Sequence, residues 1–177
     1  MIEDQQTIYQ GRVITLNVEH VRLPNQTLAE LEIIHHPGGA AVLAIDDQQR
    51  VCLLYQYRHA AGGYIWELPA GKIDNREPHF ATAQRELQEE AGCSAGRWHY
   101  LGHYLSSPGV FTEVIHLYLA TDLTHTANQP EAHEVFHVEW RPMAEVMAMV
   151  QRGEIVDGKT LVGLFLGRQH LNIKPEV

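Results

Sequence analysis

Apolar and polar residues alternate near the start of the chain. Ile14, Leu16 and Val18 recur at every second position, Pro24-Asn25-Gln26 interrupts, and Leu31 and Ile33 resume the alternation up to Pro37-Gly38-Gly39. A period of two broken by a turn predicts an N-terminal β-hairpin. Two near-continuous apolar runs follow, Ala40 to Ile45 and Val51 to Tyr57, joined by the polar turn Asp46 to Arg50. Such runs predict a second strand pair, covered on both faces and belonging to a central sheet. Arg58 to Tyr64 reads as a glycine-bearing loop, and Ile65 to Pro69 as a short strand that delivers the chain to Gly71.

From Glu77-Pro78 the period becomes helical. Proline is tolerated at the first helical position, the Glu77 carboxylate complements the positive end of the helix dipole, and Gly92 is the expected stop. Phe80, Ala83, Leu87 and Ala91 make a narrow apolar stripe and leave Thr82, Arg85, Glu86, Glu89 and Glu90 on the other side. Beyond Gly92 the pattern predicts strands over Trp98 to Leu105, Val114 to Thr121 and Val135 to Trp140. Ser106-Ser107-Pro108-Gly109 separates the first two. The polar loop Asp122 to His133 precedes the third, and loops of that length in compact domains often serve binding. A helix is expected from Arg141-Pro142 through Arg152, ended by Gly153, and a last one from about Gly158 to His170, capped by Asp157. Strands interleaved with helices, without an internal repeat, predict an α/β domain with a mixed sheet between helical layers.

Composition narrows this picture. The 177 residues, 45% hydrophobic and 20% charged, suit one domain with a full core. A formal net charge of -9 argues against a nucleic-acid partner or an anionic membrane surface, so a phosphorylated substrate has to be met by a local cluster of cations or by metal. The polar start MIEDQQTIYQ does not read as a signal peptide, and no apolar run reaches membrane-spanning length, so a cytoplasmic location is expected. Cys52 and Cys93 provide neither a disulfide framework nor zinc spacing, and the 12 histidines fall in no metal-ligand pattern.

Candidate chemistry sits on the first helix. A charged helix is ordinarily a solvated face. Here Glu86, Glu89 and Glu90 stand at i, i+3 and i+4, where like charges repel, so the arrangement costs stability unless a cation joins it. Mg²⁺ takes oxygen ligands and keeps waters for a phosphate-bearing substrate, which suits such a group. The full pattern is Gly71, five residues, Glu77, seven residues, then Arg85-Glu86-Leu87-x-Glu89-Glu90-x-Gly92-Cys93. It resembles the signature of the Nudix hydrolases, with Cys93 where that family usually has a bulkier aliphatic residue. Ser107-Pro108-Gly109 followed by Glu113, with Tyr9-x-Gly11-Arg12-Val13, Gln56-Tyr57-Arg58 and Glu67-Leu68-Pro69-Ala70-Gly71, resembles the ADP-ribose pyrophosphatase branch.

This resemblance implies an α/β/α sandwich over residues 39–177, preceded by an N-terminal hairpin region, 1–38, that pairs two subunits into a homodimer. It implies Mg²⁺-dependent hydrolysis of the diphosphate in ADP-ribose or a related nucleoside diphosphate sugar, with Mn²⁺ as the expected substitute. The carbonyl of Ala70 with Glu86, Glu90 and Glu89 would hold metal, and Arg85 would orient the glutamates. Gly71 is expected to permit the backbone turn that exposes the Ala70 carbonyl. Arg58 would meet the diphosphate, Glu113 the terminal ribose, and Arg12 the partner subunit's substrate. Glu134 is favoured as the water-activating base or a further metal ligand, with Glu131 as the alternative and His133 behind both. Gly153-Glu154-x-x-Asp157-Gly158-Lys159-Thr160 also resembles GDP-mannose pyrophosphatases of the same fold, and a non-catalytic domain that senses ADP-ribose is a third possibility.

Overall fold

The computed structural model describes residues 1–126 and 135–171; Glu131, His133 and Glu134 therefore lie outside the described residues. The hairpin expected from the alternation is present as β2 (Thr15–Arg22) and β3 (Leu28–His35). An additional strand, β1 (Ile2–Gln10), pairs antiparallel with β2 to make a three-stranded sheet in the order β1-β2-β3. Every residue of β1 is exposed, so no burial pattern marks it in the sequence.

The two apolar runs form β4 (Gly39–Ala44) and β5 (Arg50–Arg58), but not one strand pair. They touch through a single bridge, Ile45 to Val51, and each is an interior strand of its own sheet. Their turn is tied by the Asp46 carboxylate, which accepts the N–H groups of Gln48 and Arg50 at 3.0 and 2.8 Å. One sheet has the order β7-β4-β9-β8, with β7 (Ala70–Lys72), β8 (Cys93–Leu105) and β9 (Val114–His125); β4 runs parallel to β9 and antiparallel to β7. The other has the order β10-β5-β6, with β6 (Gly63–Glu67) and β10 (Phe136–Pro142). The expected loop from Arg58 to Tyr64 shrinks to one 3-10 turn, His59–Ala61, between β5 and β6.

Among the described residues three helices complete the fold: α1 (His79–Ala91), α2 (Met143–Gln151) and α3 (Gly158–Leu171). Pro142 precedes α2 with extended backbone, so that helix begins later than Arg141-Pro142 suggested. Helix α1 packs on β4, β7 and β8, and α3 packs on β4, β9, β8 and β6, which puts the mixed sheet between two helical layers. Strand β4 shows why its sequence is apolar throughout. Ala40, Val42 and Ala44 join the core under α1 with Ala83, Leu87 and Ala91, whereas Leu43 and Ile45 join the opposite core with Met149 and Leu164. A leucine so placed contributes about 1.5–3 kcal/mol by leaving water. No helix among the described residues is long and apolar enough to cross a membrane.

Helix α1 departs from its expected polarity. Thr82, Glu86 and Glu90 are buried along with the apolar stripe, and Phe80 is partly exposed against Trp98 and Tyr118. The helix is covered on two sides, because β7 packs against the face that carries the carboxylates.

Candidate active site

Strand ends and helix ends converge on an open cleft of about 1210 Å³, large enough for a nucleotide-sized ligand. Helix α1 supplies Arg85, Glu86 and Glu89; β5 ends in it with Arg58, β6 with Glu67, and β7 lines it with Ala70, Gly71 and Lys72. Tyr104, Glu113, His36, Asp157 and Lys159 also line it, as does Arg12 from the turn between β1 and β2. Seven residues singled out by sequence thus share one cavity: Arg12, Arg58, Ala70, Arg85, Glu86, Glu89 and Glu113.

Glu90 is set apart from them. It is 1% exposed and not in the cleft lining, and its Oε2 accepts the N–H of Ala70 at 2.7 Å, so it fastens β7 to α1. Gly71 explains how the two elements approach so closely. Its φ is not positive, so the expected turn is not what requires glycine. A Cβ built there would fall 1.8 Å from Oε1 of Glu86, and the missing side chain is the space that the carboxylate occupies.

Arg85 holds the acidic group together. One terminal nitrogen donates to Glu86 at 2.6 Å and to Glu89 at 2.9 Å; the other donates to Glu77 at 2.9 Å and to the Lys72 carbonyl at 3.2 Å. Burial works against the guanidinium charge, but the Glu77 bond, the Glu86 charge and the remaining bonds outweigh it and raise its pKa further. The helix begins at His79, one residue later than Pro78 suggested, and the Glu77 carboxylate before it accepts from Thr82 Oγ1 at 2.9 Å as well as from Arg85. Burial raises its pKa, yet the bonds from Arg85 and Thr82 and the nearby charges of Arg85 and Lys72 lower it overall. Among the described residues, no three carboxylate, imidazole or thiol groups already stand as a metal-ligand cluster. Arg85 instead supplies positive charge to Glu86 and Glu89.

Glu113, also in the cleft lining, lies 3.4 Å from Nδ1 of His36. That nitrogen accepts the N–H of Gly38 at 3.0 Å. Burial lowers the His36 pKa, the Glu113 charge opposes this and Lys72 reinforces it, so the ring is neutral near pH 7. The Ser107-Pro108-Gly109 turn is stitched to β3: Ile34 N–H donates to the Val110 carbonyl at 2.8 Å, and Thr112 N–H to the Ile34 carbonyl at 2.9 Å. Burial, with the charges of Asp157 and Glu113, raises the pKa of Tyr104, which stays a protonated donor.

Sequence reasoning missed Glu67, Tyr104, Asp157 as a cleft residue, and Lys159. Glu67 was visible only as part of a five-residue tag, and Lys159 only within the C-terminal segment; neither has a local pattern that announces a cleft.

A family model described as NUDIX domain matches residues 35–161. An ADP-ribose pyrophosphatase of Mycobacterium tuberculosis is 38% identical over 163 residues, 90% of this chain and 78% of the relative. An ADP-ribose pyrophosphatase of Bacillus subtilis is 34% identical over 172 residues, 96% of this chain and 91% of the relative. A solved structure described as an ADP compounds hydrolase superposes with a TM-score of 0.83 at 22% identity, covering 97% of this chain and 94% of that one, which bears on the fold. The signature residues that meet in the cleft fall within the matched span, and the chain belongs to the Nudix family.

Proposed function

We propose that the protein hydrolyses the diphosphate bond of ADP-ribose to AMP and ribose 5-phosphate. The observation that carries this reading is the cleft itself, which brings together Arg85, Glu86 and Glu89 of the acidic helix with Arg58, Lys159 and Glu113. A nucleoside diphosphate sugar has matching parts: a dianionic bridge flanked by two sugars. Relatives that bear the name ADP-ribose pyrophosphatase over most of the chain support the choice of base and sugar.

The donor set fits a hard divalent ion. Glu86, Glu89, Glu90 and the Ala70 carbonyl offer oxygen only, and the space at Gly71 keeps Glu86 against β7. These are the residues we assign to Mg²⁺, or to Mn²⁺ in its place; the ion supplies positive charge against the phosphoryl oxygens. The chain's own groups do the rest. Arg58 presents its terminal nitrogens to the bridge, Arg85 keeps Glu86 and Glu89 aimed at the cleft, and Glu113 accepts from the terminal ribose. Water forms the new P–O bond as the bridging P–O bond breaks, and its proton passes to a base. We assign that base to Glu134, with Glu131 as the alternative; both lie outside the described residues. We also infer a homodimer through the region 1–38; Arg12, expected to reach the partner subunit's substrate, lines the cleft of its own chain.

Purified protein with Mg²⁺ is expected to turn over ADP-ribose faster than GDP-mannose, with AMP and ribose 5-phosphate as products. Faster cleavage of GDP-mannose would instead support the runner-up, which Lys159 in the cleft favours. In the same assay Glu134→Gln should lower kcat at least about a hundredfold with little change in KM. A collapse for Glu131→Gln alone would move the base to that residue.

A further inference from the structure

Glu67 ends β6 with a carboxylate that is 3% exposed and carries two cations. Arg58 Nε donates to its Oε2 at 2.8 Å, and Lys159 Nζ donates to its Oε1 at 2.6 Å. The two cations come from the end of β5 and the first turn of α3, and both line the cleft. Arg58 commits only Nε, which leaves its two terminal nitrogens without a protein hydrogen bond among the described residues. Lys159 spends a second proton on Asp157, at 3.0 Å, and keeps a third.

The stretch that Glu67 begins is fastened at successive residues. Leu68 N–H donates to Thr160 Oγ1 at 2.9 Å, the Pro69 carbonyl accepts from Val42 N–H at 2.9 Å, and Ala70 N–H goes to Glu90. Thr160 in turn donates its hydroxyl to Asp157 Oδ2 at 2.6 Å, and its N–H reaches the same oxygen at 2.9 Å, which caps α3. The cap of one helix, two cleft cations and the chain entering β7 therefore share one hydrogen-bonded group.

We propose that Glu67 is a positioning residue that aims Arg58 and Lys159, as a pair, at the diphosphate; the proposal rests on the nucleotide-sugar reading above. These pairs are a poor device for stability alone: Arg58 is 41% exposed, where an ion pair adds little, and apolar groups of similar volume would hold the strand at least as well as the more buried Lys159 pair. What it provides is direction. With Asp157, the group has two carboxylates against two cations, so it presents oriented donors with little net charge. Glu67→Gln removes one negative charge while loosening the aim. Loss of aim should cost turnover, whereas attraction for an anion should persist or grow.

The test compares wild type, Glu67→Gln and Glu67→Asp in the Mg²⁺-loaded enzyme, with melting temperature measured alongside. Glu67→Gln should lower kcat on the order of 10- to 100-fold, with KM changed no more than about threefold. Glu67→Asp should recover part of the loss. Metal-free calorimetry with ADP as the probe supplies a readout that needs no turnover. Arg58→Ala and Lys159→Ala should be non-additive in the native background, because they share a carboxylate, and additive once Glu67→Gln is present. Unchanged kcat, additive losses in both backgrounds, or a parallel fall in kcat and melting temperature that Glu67→Asp does not relieve would overturn the proposal. Failure of the wild type to cleave ADP-ribose would refute the substrate reading instead, leaving the ADP cycle to decide on Glu67.

Discussion

Gly71 and Glu86 behave as one unit, since the volume that one lacks is the volume the other fills. Gly71→Ala should force the Glu86 carboxylate out of its place on β7 and lower kcat/KM by at least about a hundredfold, as small misplacements of catalytic groups do. Steady-state kinetics beside a thermal melt checks this; full activity would show that Glu86 tolerates displacement. Glu90 makes a different case, because its Oε2 satisfies a backbone donor on β7. Glu90→Gln keeps an acceptor for Ala70 N–H and should lose turnover with less than about 1 kcal/mol of stability. Glu90→Ala strands that N–H beside a cavity and should cost about 2–4 kcal/mol in denaturant unfolding. Equal stabilities for the two variants would mean that the Ala70 bond does not matter.

Helix α1 meets β8 and β9 through a cluster of rings at its first residue. His79 stacks on His116 with centroids 3.8 Å apart, Tyr118 shares a 2.6 Å hydrogen bond with His79 Nδ1, and Tyr100 lies between His116 and His103. Burial, then the neighbouring His79 and His103, lowers the His116 pKa from its ordinary value of 6.5. A group with a depressed folded-state pKa takes up protons more readily when unfolded, so its contribution to stability is complete above 6.5 and is lost as pH falls through the folded value. Melting temperature should therefore drop on going from pH 7.5 toward pH 5, and His116→Gln should flatten that part of the curve. A curve of unchanged slope in the variant would remove His116 as the cause.

The three-stranded N-terminal sheet leaves Ile2, Ile8, Tyr9, Leu28 and Leu31 exposed, with Val13 beside them. Apolar surface of this kind on an extended sheet is what a second subunit would cover. Light scattering at micromolar concentration is expected to give the mass of a dimer. Removal of residues 1–10 should yield a monomer with a raised KM for ADP-ribose. A monomeric full-length protein would overturn this arrangement.

The sequence by itself determined the acidic helix, the glycine before it, the hairpin formed by β2 and β3, and the alternation of sheet and helix, because each is a local pattern of period, cap or spacing. Tertiary structure decided matters that depend on what packs against what. The two apolar runs read as one strand pair, yet each became an interior strand of a separate sheet, since a strand buried on both faces needs neighbours that its own sequence does not name. Glu86 and Glu90 sit on a helix face whose burial no local pattern announces, because it is β7 that covers it, and Glu67 reads as one letter of a tag until Arg58 meets it from β5 and Lys159 from α3. Gly71 was legible as necessary but not why: a turn is a property of the backbone at one residue, whereas the space beside Glu86 exists only once the helix and β7 are in contact.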